Sequence, residues 1–133
     1  MKNERGFSLV EMLIAITLLA IGLLAVAGMQ STAINANSFA NKLSTATALA
    51  QEVMEDLLAR DSTAAIFQAD TNDNVYDLDP DTAATSITIT GAGTFTAAYD
   101  INADSPATNV ATISVTVTTT GRIVTLTSYK RAV

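Results

Sequence analysis

The feature that most constrains this chain is a dense apolar run from Leu9 to Met29, directly after a short polar start. A helix needs about 20 apolar residues to cross the hydrocarbon core of a bilayer, and this run is long enough. Lys2 and Arg5 precede the run, and positive residues favour the cytoplasmic side of a membrane. The pattern predicts one spanning helix, with everything after Met29 outside the cytoplasm.

Three interpretations of the run compete: a cleaved secretory signal, a permanent anchor, and a segment that is trimmed only at its front. Ala25 and Ala27 form a small-x-small pattern that a conventional signal peptidase reads. Glu11 favours the third interpretation. A carboxylate in an apolar helix costs about 2.5–3.5 kcal/mol at the bilayer centre, less near the interface, and therefore requires a partner.

The sequence GFSLVE at residues 6–11 resembles the class III signal of type IV pilins and pseudopilins. In that family a prepilin peptidase cuts after the glycine and methylates the new N-terminal residue. The resemblance implies cleavage between Gly6 and Phe7, methylation of Phe7, and a role in subunit assembly for Glu11. Cutting here exposes an α-amino group near the Glu11 carboxylate of a neighbouring subunit, and pairing of the two charges offsets their desolvation.

Within the family, the segments at residues 19–24, 27–30 and 46–51 look most like PilV-type minor pilins, which help to prime pilus assembly from the tip. The implied partners are other pilin subunits, the prepilin peptidase and the assembly platform of the bacterial inner membrane. The implied location is that membrane, with a periplasmic globular domain, and then the pilus. The chain has no cysteine, so the C-terminal disulfide loop of many pilins is absent and its functions cannot be transferred.

Beyond Gln30 the apolar residues become periodic, at alternating spacings of three and four. The stripe consists of Ala36, Phe39, Leu43, Ala46, Ala50, Val53 and Leu57. This period predicts that the helix continues to about Arg60 and docks its stripe on a sheet. A helix from Ser8 to Arg60 would be roughly 80 Å long, which implies a membrane or filament environment for one half and a globular environment for the other.

Downstream, residues 86–90, 94–101, 112–118 and 122–129 show strand patterns, with a hairpin at Thr120-Gly121. The fold class is therefore predicted as α+β, with a long N-terminal helix on a small antiparallel sheet of about four strands. The expected organisation is a leader over 1–6, an apolar helix over 7–29 and its amphipathic half over 30–61. An acidic loop and the sheet over 62–133 form one globular domain with that amphipathic half.

The predicted loop contains many oxygen-bearing side chains, which suit calcium. Asp70, Asn72, Asn74, Tyr76 and Asp81 fall at positions one, three, five, seven and twelve of an EF-hand loop. Val75, however, replaces the glycine of the turn, and Asp81 is shorter than the usual glutamate. An exposed polar loop is the favoured interpretation, with calcium as the alternative and no other cofactor expected.

Composition limits the function classes that remain. The net charge is −6, so a nucleic-acid partner is not expected. Without histidine or cysteine the chain lacks the common nucleophile-base pairs and zinc sites, and an enzyme is not predicted. Three functions stay open: a minor pilin of a type IV pilus, a minor pseudopilin of a type II secretion system, and a membrane-tethered binding module.

Overall fold

The computed structural model describes residues 8–78 and 84–132, and it shows an α+β fold. One helix, α1 (Leu9–Ala59), is followed by a 3-10 turn (Ala65–Phe67) and five strands. The strands are β1 (Thr71–Tyr76), β2 (Ser86–Ile89), β3 (Gly93–Asn102), β4 (Val110–Thr119) and β5 (Arg122–Arg131). The chain divides into two compact units, the first ending at Asn37 and the second beginning at Ser38.

The helix has the predicted extent. Ser8 caps its first turn, since the Ser8 hydroxyl accepts the backbone N–H of Glu11 at 3.3 Å. At 51 residues, α1 is roughly 75 Å long at the rise of an ideal helix. Its last turn carries no basic residue. Lys130 on β5 fills that role, because its Nζ donates hydrogen bonds to the carbonyl oxygens of Leu58 and Arg60.

The sheet is antiparallel throughout, with the order β1-β3-β4-β5, and β2 also pairs with β3. The hairpin predicted at Thr120-Gly121 joins β4 to β5, with Thr119 opposite Arg122. Gly121 has φ of 75°, a left-handed conformation that glycine adopts without steric cost. The four strands expected from the sequence are all present, within one or two residues at their ends.

The loop prediction for residues 71–76 was wrong, because these residues form a fifth strand. β1 pairs with β3 through Asn74↔Tyr99, Val75↔Ala98 and Tyr76↔Ala97, after a bulge that follows Thr71. Asn and Asp are depleted in strands, so the local pattern indicated a turn-rich loop. Pairing with a long neighbouring strand overrides that preference, and Asp73 takes φ of 55° at the bulge.

The core of the second unit lies between α1 and the inner face of the sheet. Ile113, Val115 and Val117 of β4 are fully buried, while Ser114 and Thr116 between them are not, as the alternation predicted. The helix contributes Ala46, Leu49, Ala50, Val53, Met54 and Leu57. The predicted docking stripe was therefore wrong in its first three members: Ala36, Phe39 and Leu43 are exposed. The Phe39 ring instead has the guanidinium of Arg122 4.2 Å from its centroid. The helical period predicted one continuous stripe because it does not show where the sheet ends.

Candidate functional site

Glu11 lies in the first turn of α1, where a carboxylate faces the positive end of the helix dipole. Within the described residues, the Glu11 carboxylate has no ion-pair partner, since the one salt bridge there joins Asp56 and Arg60. It is also surrounded by apolar side chains: Leu9, Val10 and Met12 are 63–77% exposed. The site is thus a single acidic group at the start of an apolar surface.

That apolar surface extends over the first half of α1, and its side chains are exposed in the part of the chain that the structure describes. The large side chains from Leu9 to Met29 are at least half exposed, and this stretch is long and apolar enough to cross a membrane. Its polar group Thr17 is satisfied internally, because the hydroxyl donates to the Leu13 carbonyl at 2.7 Å. Such internal pairing is what a helix needs in lipid, where no water is available to its polar groups.

Two glycines in the same stretch have open space around them in the described part of the chain. A Cβ added to Gly22 or Gly28 would meet nothing within 4 Å. Glycine inside a helix costs about 1 kcal/mol relative to alanine, so each position gives up helix stability without an internal reason. Small residues of this kind permit close approach of another apolar helix.

The two processing residues predicted from the sequence, Gly6 and Phe7, lie outside the described residues. The sequence that contains them is nevertheless distinctive. Residues 1–27 match the family model of the prokaryotic N-terminal methylation motif. No curated protein and no solved structure matches the chain.

The N-terminal methylation motif indicates a type IV pilin-like or pseudopilin precursor. It also indicates processing by a prepilin peptidase and assembly with other pilins, and it suggests a structural protein rather than an enzyme. With the long apolar helix, the motif indicates anchoring in a membrane. The motif covers residues 1–27, so it assigns no role to the second unit, which begins at Ser38.

The structure separates the residues of the predicted calcium loop. Asn72, Asn74 and Tyr76 lie in extended strand β1, whereas an EF-hand loop wraps its ligands around one point. Asp70 Oδ1 accepts the backbone N–H of Ala103 at 2.8 Å. Asp81 lies outside the described residues. In the part of the chain that is described, no three acidic side chains form a group able to hold a metal ion. Calcium binding stays the untested alternative to a polar segment, and titration tests it.

A polar cluster that the sequence analysis missed links α1 to β1. Asp56 Oδ2 accepts a hydrogen bond from Arg60 Nη2 and another from the Tyr76 hydroxyl, each at 2.9 Å. Tyr76 also makes an edge-to-face contact with Tyr99, with ring centroids 6.4 Å apart. The spacing of four between Asp56 and Arg60 on a helix was the available signal, but nothing local pointed to Tyr76.

The cluster shifts two ionisation equilibria. The hydrogen bond from the Arg60 guanidinium holds the pKa of the Asp56 carboxyl below its ordinary value, and the Tyr76 hydroxyl acts in the same direction. Burial, reinforced by the hydrogen bond to Asp56, raises the pKa of Tyr76. Both shifts favour an ionised carboxylate beside a neutral phenol. In this state the Tyr76 hydroxyl donates its hydrogen bond to Asp56 and so joins β1 to the helix.

Proposed function

We propose that this protein is a minor pilin, a structural subunit of a type IV pilus that contributes to the priming of pilus assembly. Before assembly it is anchored in the bacterial inner membrane by the first half of α1, with its second unit in the periplasm. Its partners are other pilin subunits, the prepilin peptidase and the assembly platform. A minor pseudopilin of a type II secretion system carries the same motif and is the alternative.

The proposal rests on the lone carboxylate of Glu11 at the start of an exposed apolar helix. Cleavage between Gly6 and Phe7 would make Glu11 the fifth residue of the mature chain and leave a methylated amino group on Phe7. That amino group on one subunit is a suitable partner for Glu11 of another, because both charges leave water when apolar helices pack. One such pair per subunit would also fix the axial register between neighbouring helices.

The conservative substitution Glu11→Gln tests this proposal. It keeps the size of the side chain but leaves the amino group of the neighbouring subunit unpaired, and an unpaired buried charge costs about 3–5 kcal/mol. Incorporation into filaments, measured by immunoblotting of sheared fibres, should therefore fall at least tenfold, since about 1.4 kcal/mol corresponds to a factor of ten. Glu52→Gln, at an exposed position of the same helix, is the matched control and should assemble normally.

Mass spectrometry of the N-terminus separates processing from assembly. Both variants should begin at methylated Phe7. If Glu11→Gln is processed and still enters filaments at the wild-type level, the proposed role of Glu11 in assembly is wrong. If the unsubstituted chain is also missing from filaments, a membrane-tethered binding module would account for the helix. Deletion of the gene distinguishes the minor pilin from the minor pseudopilin. Loss of piliation supports the minor pilin, and loss of protein secretion supports the pseudopilin.

A further inference from the structure

Strand β5 forms one edge of the sheet, and the backbone groups on its side away from β4 face no other described strand. It pairs with β4 without interruption from Arg122 to Arg131, and among residues 8–78 and 84–132 no strand pairs with its other side. Natural sheets protect such edges with a proline, a bulge, a short strand or a central charge. β5 has ten residues, no bulge and no proline, and its seven residues from Ile123 to Tyr129 are uncharged. This edge is therefore suited to pairing.

The charges of β5 indicate what it pairs with. Arg122, Lys130 and Arg131 are three of the seven basic residues in a chain of net charge −6, and residues 120–132 contain no acid. Two β5 strands side by side would bring like charges together at their ends in either orientation, which is destabilising. Lys130 is engaged with the end of α1. Arg122 and Arg131 are exposed, although the Arg122 guanidinium also contacts the Phe39 ring. The fitting occupant is consequently an acidic strand.

The opposite edge of the same sheet has that character. β1 is bordered or interrupted by Asp70, Asp73 and Asp77, and no lysine or arginine occurs from residue 61 to residue 121. β1 shares this edge with β2, which follows it in line along the same side of β3, and the regular pairing of β1 covers Asn74 to Tyr76. Its bulge and like charges oppose pairing with another β1. The two edges are complementary to each other and not to themselves.

We propose that the β5 edge of one copy docks on the β1 edge of a second copy, in a head-to-tail contact stabilised by opposite charges. Such a contact joins two different surfaces, so it repeats from copy to copy instead of closing as a twofold dimer. It deepens the proposed function and rests on it in one respect: at least two copies must lie side by side in the assembly. It does not involve Glu11, since both edges belong to the unit that begins at Ser38.

Cysteine cross-linking between two tagged copies tests the contact, and the natural chain has no cysteine to interfere. Val75 and Thr125 lie in one row on the outer face, through Val75↔Ala98, Ala98↔Thr116 and Thr116↔Thr125, so in a continuous sheet they face the same side. One full-length copy carries Thr125→Cys and the other Val75→Cys, both in native membranes. A short bis-maleimide should give a mixed adduct in excess over both same-site adducts. Gln51→Cys, exposed on α1 and not part of the sheet, is the control and should give none.

Charge dependence provides the second measurement. Raising the salt from 0.15 M to 1 M shortens the screening length from about 8 Å to about 3 Å, so the mixed adduct should fall severalfold. Arg131→Glu should lower it to a similar degree, while Arg131→Lys, which keeps the positive charge, should not. Unchanged thermal midpoints of these variants would show that the fold is retained.

Three results would overturn the contact: no mixed adduct, a dominant Thr125→Cys same-site adduct, or a Thr125→Cys adduct with a different protein. The outcome is separable from the Glu11 test. Glu11-dependent assembly without the mixed adduct refutes the edge contact alone. A mixed adduct in cells where assembly ignores Glu11→Gln refutes the Glu11 proposal alone.

Discussion

Lys130 is the side chain of the second unit whose removal should reveal most about what holds it together. Its Nζ donates to the carbonyl of Leu58 at 2.6 Å and to that of Arg60, and it lies 4.9 Å from the ring centroid of Phe67. It thus caps the negative end of α1 from the last strand, across 72 residues of sequence to Leu58. Helix, 3-10 turn and sheet meet at this one ammonium group.

The magnitude follows from these contacts. A hydrogen bond to a charged donor contributes about 1.5 kcal/mol where the acceptor is shielded, as for Leu58, and less for the exposed carbonyl of Arg60, which water can solvate. The cation–π contact with Phe67 adds about 0.5 kcal/mol. Lys130→Met keeps the apolar stem and removes all of these, so the second unit should lose about 2–3 kcal/mol. For a domain of roughly 100 residues, that lowers the thermal midpoint by about 10 °C or more.

The assay is thermal unfolding of the full-length chain in detergent, followed by tyrosine fluorescence, because the chain has three tyrosines and no tryptophan. The matched control is Arg131→Met, the same charge loss on the next residue, which is exposed and should shift the midpoint by about 4 °C at most. A Lys130→Met midpoint indistinguishable from that of Arg131→Met would refute the capping argument.

Three further predictions concern the core, the polar cluster and calcium. Leu57→Ala should destabilise the second unit by about 2–5 kcal/mol in the same assay, because Leu57 is fully buried, whereas Leu43→Ala, at a residue 40% exposed, should cost about 1 kcal/mol or less. Since the folded-state pKa of Asp56 is lowered, its contribution is present above about pH 4, the unfolded value, and is lost as the pH falls through the folded value. Asp56→Asn should therefore make the thermal midpoint fall less steeply in acid. The free energy involved should be below about 1 kcal/mol because the ion pair is partly exposed, and an unchanged pH profile would contradict this. Calcium titrated into the full chain to millimolar concentration should give no heat beyond dilution, and a saturable signal would restore the EF-hand interpretation of residues 70–81.

Much of the fold was predictable because its elements carry strong periodic signals. The apolar pattern of α1 changes from continuous to periodic near Gln30, and β4 alternates apolar and polar residues from Ala111 to Thr118. β1 was missed because Asn and Asp have low strand propensity, and only its pairing with β3 makes the segment extended. Tertiary pairing of this kind has no local signature.

The candidate site shows the same division. Glu11 was recognisable because a charged residue within an apolar run is energetically unfavourable unless it has a function, and the sequence alone shows this. The Asp56–Arg60 pair was half visible, through its helical spacing, but its third member Tyr76 comes from a strand that the pattern did not reveal. Lys130 could not have been assigned at all, since its partners are backbone carbonyls far away in sequence.

The two kinds of residue should therefore respond oppositely to substitution. Among the described residues, the large side chains of the first half of α1 are exposed and Glu11 has no ion-pair partner. Glu11→Gln should therefore leave the thermal midpoint of the second unit unchanged while assembly falls. Lys130→Met removes only internal contacts, so it should lower the midpoint while the surviving folded chain still presents an intact Glu11. A variant of either residue that changed both properties together would mean that folding of the second unit and packing of the apolar helix are coupled.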